Sequence, residues 1–365
     1  MKIAIIHYWL VSMRGGEKVL EVLLDMFPEA DLYTHVYNSK GMSERINSRR
    51  IMCSKINRLP FAKKLYRLYM PLMPKALMEL DLQQYDLVIS SESGPAKGIV
   101  CNPDAYHICY CHSPMRYLWD MYHEYFRKTN PLVRLFMKQL IPGLRLWDVI
   151  SSNMVDFFIA NSAYVAKRIQ HCYNRNAAIV HPPADIERFL SLERRPNDFY
   201  LFFGQLTGYK RADLAIDACI ASGRTLVVAG AGMKKADIRK YSKTGLVSFR
   251  SNISAGELNN LYACARALIF PGIEDFGIVP VEAQAAGCPV IAFRKGGAVE
   301  TIKDGATGIF FDEQTPGSLI TAMDHFEQIE VQFRNREVFN DHVQQFSKTV
   351  FIEQIQRILD ERKRI

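Results

Sequence analysis

The chain has 365 residues, 48% of them hydrophobic, and a formal net charge of +8. That length exceeds one ordinary core and predicts two α/β domains. Its composition excludes a disordered or fibrous chain, and no apolar run approaches the ~20 residues a membrane span needs. The charge is local: Lys40 to Met78 holds ten Lys or Arg against the single acid Glu44, a net +9 that leaves the remainder near neutral. Eight cysteines are scattered without the spacing of a secreted framework and read as reduced cytosolic thiols. Cys109-Tyr-Cys111-His112 has no second ligand pair at a matching spacing, so no metal site is expected.

Residues 2–9 read as a first strand, too short in its apolar part for a signal peptide. Gly15-Gly16-Glu17 follows, then a helix from about Lys18 to Met26 with one buried face. Strand, glycine loop and helix together make an anion cradle, which places Gly15 and Gly16 among the candidate ligands. The β-rich run 31–37 closes a βαβ unit. From Pro60 to Leu72, Phe61, Leu65, Leu68, Tyr69 and Leu72 share one helical stripe, with Lys63, Lys64 and Arg67 opposite. That pattern predicts a short interfacial helix on an anionic surface. The alternative is an ordinary amphipathic helix with its stripe in the core. Nucleic acid is not expected, because no reading module accompanies the charge.

Asp86 to Ser90 and Ala105 to Tyr110 are further strands, and the second delivers His112 to a strand-end loop. A His there either meets ligand or bonds backbone as a cap. Met115 to Tyr125 is unusually aromatic, as a carbohydrate- or lipid-facing wall would be. After strands at about 157–160 and 177–180, Pro182-Pro183 and the polar run Glu193 to Asp198 bracket a predicted hinge. The βα alternation then resumes: strand 200–203, helix 212–222, strands 225–228 and 246–249, helix 255–264. Two amphipathic helices, 316–329 and 347–364, end the chain in a basic tail. The predicted domains are 1–183, 184–345 and a C-terminal helix 346–365 packing back on the first. Two such α/β units put a ligand in the cleft between them, at the strands' carboxyl ends.

The second half is organised around Pro271 to Gly287. An apolar strand, 265–270, leads into it, and Gly287 and Pro289 terminate its helix. Pro280 suits a first helical turn. The loop Glu274 to Val279 therefore lies at a helix N-terminus on a strand's carboxyl end, where free amides and the helix dipole hold a phosphate. Glu274 and Glu282 frame that loop, and carboxylates accept hydrogen bonds from sugar hydroxyls. A plain strand, turn and core helix with two surface glutamates is the structural alternative.

Gly15-Gly16-Glu17, Tyr110-Cys-His112-Ser-Pro-Met-Arg-Tyr-Leu-Trp119-Asp120, Gly204-Gln-Leu-Thr-Gly-Tyr-Lys210-Arg211 and Glu274-Asp-Phe-Gly-Ile-Val-Pro-Val-Glu282 span nearly the whole chain. Together they resemble retaining GT-B glycosyltransferases of family 4, most closely the O-antigen mannosyltransferase subgroup. The two glutamates eight positions apart are the most specific element. The resemblance implies two Rossmann-like domains, no cofactor and no metal. It implies Glu282 on the ribose, Glu274 on the donor sugar, and Phe276, Gly277, Ile278, Val279 and Gly16 around the diphosphate. Lys210 and Arg211 would neutralise that diphosphate, so Lys210 joins His112 and Glu274 as a catalytic candidate. Arg116, Trp119 and Asp120 would form the acceptor pocket. One departure stands out: Gln205 occupies a position where the family usually has Arg, and Gln brings no charge. The implied partners are GDP-mannose, a polyprenyl-diphosphate-linked glycan and the inner face of the cytoplasmic membrane. A UDP-sugar donor and a nucleotide-sugar epimerase remain alternatives. A nicotinamide dehydrogenase is disfavoured, because Gly230-Ala-Gly232 is followed by Lys235 where the fingerprint needs Gly.

Overall fold

The computed structural model describes residues 1–127, 130–232 and 235–362. Residues 363–365 of the expected basic tail therefore lie outside the described residues. The chain divides into two units, Met1–His181 and Pro182–Ile365.

The first unit is built on a parallel sheet of seven strands: β1 (Ile3–His7), β2 (Asp31–Thr34), β3 (Ile51–Cys53), β4 (Leu87–Glu92), β5 (Tyr106–Cys111), β6 (Phe157–Ala160) and β7 (Ala177–Ile179). Their order is β3-β2-β1-β4-β5-β6-β7. All six residues of β4 are buried, as expected of a central strand covered on both faces. The order reverses between β1 and β4, where His7 pairs in register with Ser91. Ligands of open α/β sheets bind outside the strand ends at such a switch point.

The second unit repeats the plan with β8 (Tyr200–Phe203), β9 (Leu226–Ala229), β10 (Val247–Arg250), β11 (Leu268–Phe270), β12 (Val290–Phe293) and β13 (Gly308–Phe311), ordered β10-β9-β8-β11-β12-β13. Alternation along the strands divides the core into two layers. Leu201, Leu268, Val290 and Ala292 pack with Val281 and Ala283 of the helix Ile278–Ala285. Tyr200, Phe202, Ile269 and Ile291 pack with Leu319 and Phe326 on the other face. The switch point here lies between β8 and β11.

Three local expectations are corrected. The single helix expected over 60–72 is broken into a helix Ala62–Leu65, a 3-10 stretch Tyr66–Leu72 that contains Pro71, and a helix Met73–Met78. Proline removes a backbone donor, and Phe61 in the left-handed region precedes the first turn. The polar run Glu193 to Asp198 is not a linker. Arg194 Nη1 donates to the carbonyls of Tyr262 (2.7 Å), Ala263 (3.0 Å) and Ala265 (2.8 Å), pinning the run to the second unit. Residues 131–152, given no element from the sequence, form a helix of 22 residues. Pro142-Gly143 in its middle reads as a break, yet Ile141, Leu144 and Asp148 keep one face buried.

Candidate functional site

In the second unit the chain leaves β8 through Gly204 and Gln205, makes a 3-10 turn at Gly208–Lys210, and enters the helix Ala212–Ala221 through Arg211 in the left-handed region. From the neighbouring β11 it runs through Pro271 to Gly277. The two loops meet across the switch point, where Lys210 Nζ lies 2.8 Å from Glu274 Oε1. Both side chains are largely buried, at 13% and 18% exposure, so solvent screens this pair far less than a surface one.

The Glu274 loop is held by backbone. Gly297 N donates to Glu274 O at 2.9 Å, and Gln314 Nε2 donates to Pro271 O at 2.7 Å. Phe276 is buried against Phe346 and anchors the loop in the core. Gly277 caps the helix Ile278–Ala285 at φ +91°, which only glycine adopts without strain. The first-turn amides, including those of Ile278 and Val279, have no partner within the helix, and the dipole adds positive potential there. Glu282 is buried one turn in and accepts from Tyr262 Oη at 3.4 Å. Arg211 bonds Asp213 through Nε at 3.1–3.2 Å, and Gln205 is exposed.

In the first unit the glycine loop packs directly on the strand ends. A Cβ on Gly16 would sit 2.8 Å from Tyr8 Oη and 3.5 Å from His112 Nε2, so the backbone must be bare at this position. His112 Nε2 lies 2.8 Å from Ser91 Oγ, which in turn lies 3.0 Å from His7 Nδ1. Glu17 Oε1 stands 3.6 Å from His7 Nε2, an ion-pair distance. Burial, reinforced by the His7 ring, pushes the His112 pKa down to about 3 and keeps its imidazole neutral.

The acceptor candidates are strongly tied to their surroundings. Arg116 reaches Met121 Sδ at 3.7 Å, Asp120 accepts from Arg168 at 2.5 Å, and Trp119 Nε1 donates to Asp148 Oδ2 at 2.7 Å. Asp148 belongs to a buried cluster the sequence reading missed. Lys97, with no exposed surface, donates to Glu92 Oε1 at 2.8 Å and contacts Asp148. Tyr173 donates to Asp148 Oδ2 at 3.0 Å. Burial opposes the Lys97 charge, but Asp148 and Glu92 outweigh it and raise the ammonium pKa. Burial raises Glu92 against the pull of Lys97. The carbonyl of Glu92 accepts from His112 N at 2.7 Å, so this cluster underlies the His112 loop as well as Trp119. The available signal was charge in the wrong place: Glu92 ends an apolar strand, and Asp148 sits among apolar helix positions.

Residues 13–188 match the family described as Glycosyltransferase Family 4, and residues 184–345 match that described as Glycosyl transferases group 1. Each half of the chain thus matches a glycosyltransferase family model. It is 28% identical over 204 residues to a D-inositol 3-phosphate glycosyltransferase of Streptomyces scabiei, covering 47% of this chain and 46% of that protein. It is 29% identical over 194 residues to the protein of that name in Mycobacterium tuberculosis strain H37Ra, covering 47% of this chain and 40% of the relative. The chain thus matches these curated relatives over less than half of their length. Among solved structures, HepE of Anabaena in complex with UDP-glucose aligns with a TM-score of 0.71 at 16% identity, over 99% of this chain and 100% of that one. Sucrose-phosphate synthase from Thermosynechococcus elongatus aligns at 0.70 and 14% identity, over 99% of each chain. These likenesses show the GT-B fold that the two doubly wound units display.

Proposed function

We propose that this chain is a retaining glycosyltransferase that moves mannose from GDP-mannose onto a polyprenyl-diphosphate-linked glycan at the inner membrane face. The observation that carries the reading is the Lys210–Glu274 pair beside the open first turn of the helix Ile278–Ala285. A cation and free amides suit a diphosphate, and a carboxylate suits sugar hydroxyls. Glu282, early in the same helix, takes the ribose, with Arg211 and Gln205 at the rim. Gly15 and Gly16 bring backbone to the phosphates, while Arg116, Trp119 and Asp120 form the acceptor side. As the bond from sugar C1 to the diphosphate oxygen breaks, negative charge grows on the leaving group, and Lys210 with the amides stabilises it. The acceptor oxygen bonds C1 on the same face and its proton passes to the departing phosphate oxygen, which makes a metal unnecessary to the reading.

A second reading, a UDP-sugar donor, is supported by the complex of HepE with UDP-glucose. Thermal shift separates the two. GDP-mannose is expected to raise the melting temperature more than UDP-glucose at equal concentration. The opposite ranking favours the second reading, and no shift with either sinks both.

The membrane part of the proposal is supported by where the basic segment puts its apolar groups. Phe61 is 75% and Leu68 60% exposed, with Leu65 and Leu72 also outside the core. Lys63, Lys64 and Arg67 are exposed beside them. The helix Pro131–Ser152 adds exposed Leu135, Leu146 and Ile150. Among the described residues no helix is long and apolar enough to cross a membrane, so contact would be interfacial. Each cation near anionic lipid contributes about 1 kcal/mol, screened within a Debye length. Vesicles containing anionic lipid are therefore expected to sediment the protein at low salt and release it at high salt. Replacing Lys63, Lys64 and Arg67 by Glu should abolish sedimentation yet spare activity on a water-soluble acceptor analogue. Equal binding to neutral vesicles would assign the charge to another partner.

A further inference from the structure

The chain Glu17–His7–Ser91–His112 runs across the carboxyl ends of β1, β4 and β5, and the sequence marks only its last member as a catalytic candidate. Ser91 has one proton and lies within hydrogen-bond distance of both imidazoles, 3.0 Å from His7 Nδ1 and 2.8 Å from His112 Nε2. It can donate to one ring and must accept from the other. Glu17 decides the direction. Its Oε2 accepts from Arg14 N at 2.9 Å, and its Oε1 faces the otherwise unbonded His7 Nε2 from 3.6 Å, an electrostatic contact and not a hydrogen bond, in a fully buried setting. An acceptor-only carboxylate favours the His7 proton on Nε2, which leaves Nδ1 as a lone pair. Ser91 then donates to His7 Nδ1 and accepts from His112 Nε2. A neutral imidazole carries one N–H, so His112 Nδ1 is bare, and it has no hydrogen-bond partner among the described residues.

We propose that Glu17, His7 and Ser91 are positioning residues that lock His112 in the Nε2-protonated tautomer and present its Nδ1 as an acceptor for a donor-sugar hydroxyl. The ligand rests on the proposed function; the tautomer does not. The line exists because the switch point sets β1 beside β4, with His7 in register with Ser91. Gly16 closes over the rings with no side chain of its own.

The test begins without ligand. Two-bond proton–nitrogen correlation spectra of 15N-histidine-labelled protein are recorded, with His112→Gln assigning the resonance. His112 is expected as the Nε2–H tautomer in the native chain. Ser91→Ala should turn it into a mixture, as should Glu17→Gln, while Ser91→Thr, which keeps the hydroxyl, restores the single form. Calorimetry then compares GDP-mannose with GDP, and UDP-glucose with UDP. Ser91→Ala should weaken the nucleotide sugar at least fivefold and leave the nucleoside diphosphate unchanged. A native His112 protonated at Nδ1, as a doubly protonated His7 would impose, overturns the proposal. So does a tautomer that neither Ser91→Ala nor Glu17→Gln alters. A tautomer lost with nucleotide-sugar affinity unchanged leaves the lock standing but overturns the sugar contact and the reading of His112 behind it.

Discussion

Replacing Glu274 by alanine is expected to lower turnover by well over tenfold, equivalent to more than ~1.4 kcal/mol of transition-state stabilisation. Two losses combine. The carboxylate no longer accepts from the sugar, and Lys210, held 2.8 Å away, loses the group that fixes its ammonium. A cation free to swing from the leaving diphosphate gives up preorganisation, which is where most of its catalytic value lies. Glu274→Gln keeps an acceptor but not the charge, and should fall between alanine and the native chain. Lys210→Ala is expected to weaken binding of the free nucleoside diphosphate as well as of the donor, whereas Glu274→Ala should chiefly weaken the sugar-bearing form. Initial rates and calorimetry on folded protein separate these effects. Native rates in Glu274→Ala would remove it from the site.

The second large effect concerns stability. Lys97→Met leaves Glu92 and Asp148 buried with no cation between them, and breaking a buried ion pair by removing one partner costs about 3–5 kcal/mol. For a unit of this size each kcal/mol moves the melting temperature by about 2–4 °C, so a fall on the order of 10 °C is expected in thermal unfolding. Combining Lys97→Met with Glu92→Gln removes one of the stranded charges and should recover part of the loss. A drop below about 1 kcal/mol for Lys97→Met would contradict charged carboxylates at both positions. The loss should reach the site too. Glu92 supports His112 through its carbonyl, and Asp148 holds the indole of Trp119, so even folded protein should show reduced activity.

The alternation of strands and helices was legible in the sequence because its signals are local. Apolar runs bounded by glycine and proline mark buried parallel strands, and the loop carrying Glu274 could be placed at a helix N-terminus from Pro280, Gly287 and Pro289 alone. The helix Ala255–Cys264 matches its expected span, and the structure closes its start with a capping box of Ser254 and Glu257. Where local signals conflict, the reading failed. Pro142-Gly143 concealed a helix of 22 residues, and an apolar stripe at helical spacing concealed the break at Phe61 and Pro71. The partnerships at the candidate site were decided by tertiary structure. Lys210 meets Glu274 because β8 lies beside β11, and His7 meets Ser91 across 84 residues because β1 lies beside β4. Lys97 reaches Asp148 from 51 residues away by the packing of a helix on the sheet. Periodicity specifies which face of an element is apolar, but strand order is set by the burial and long-range pairing of whole elements. Those terms leave no trace within any one stretch of chain.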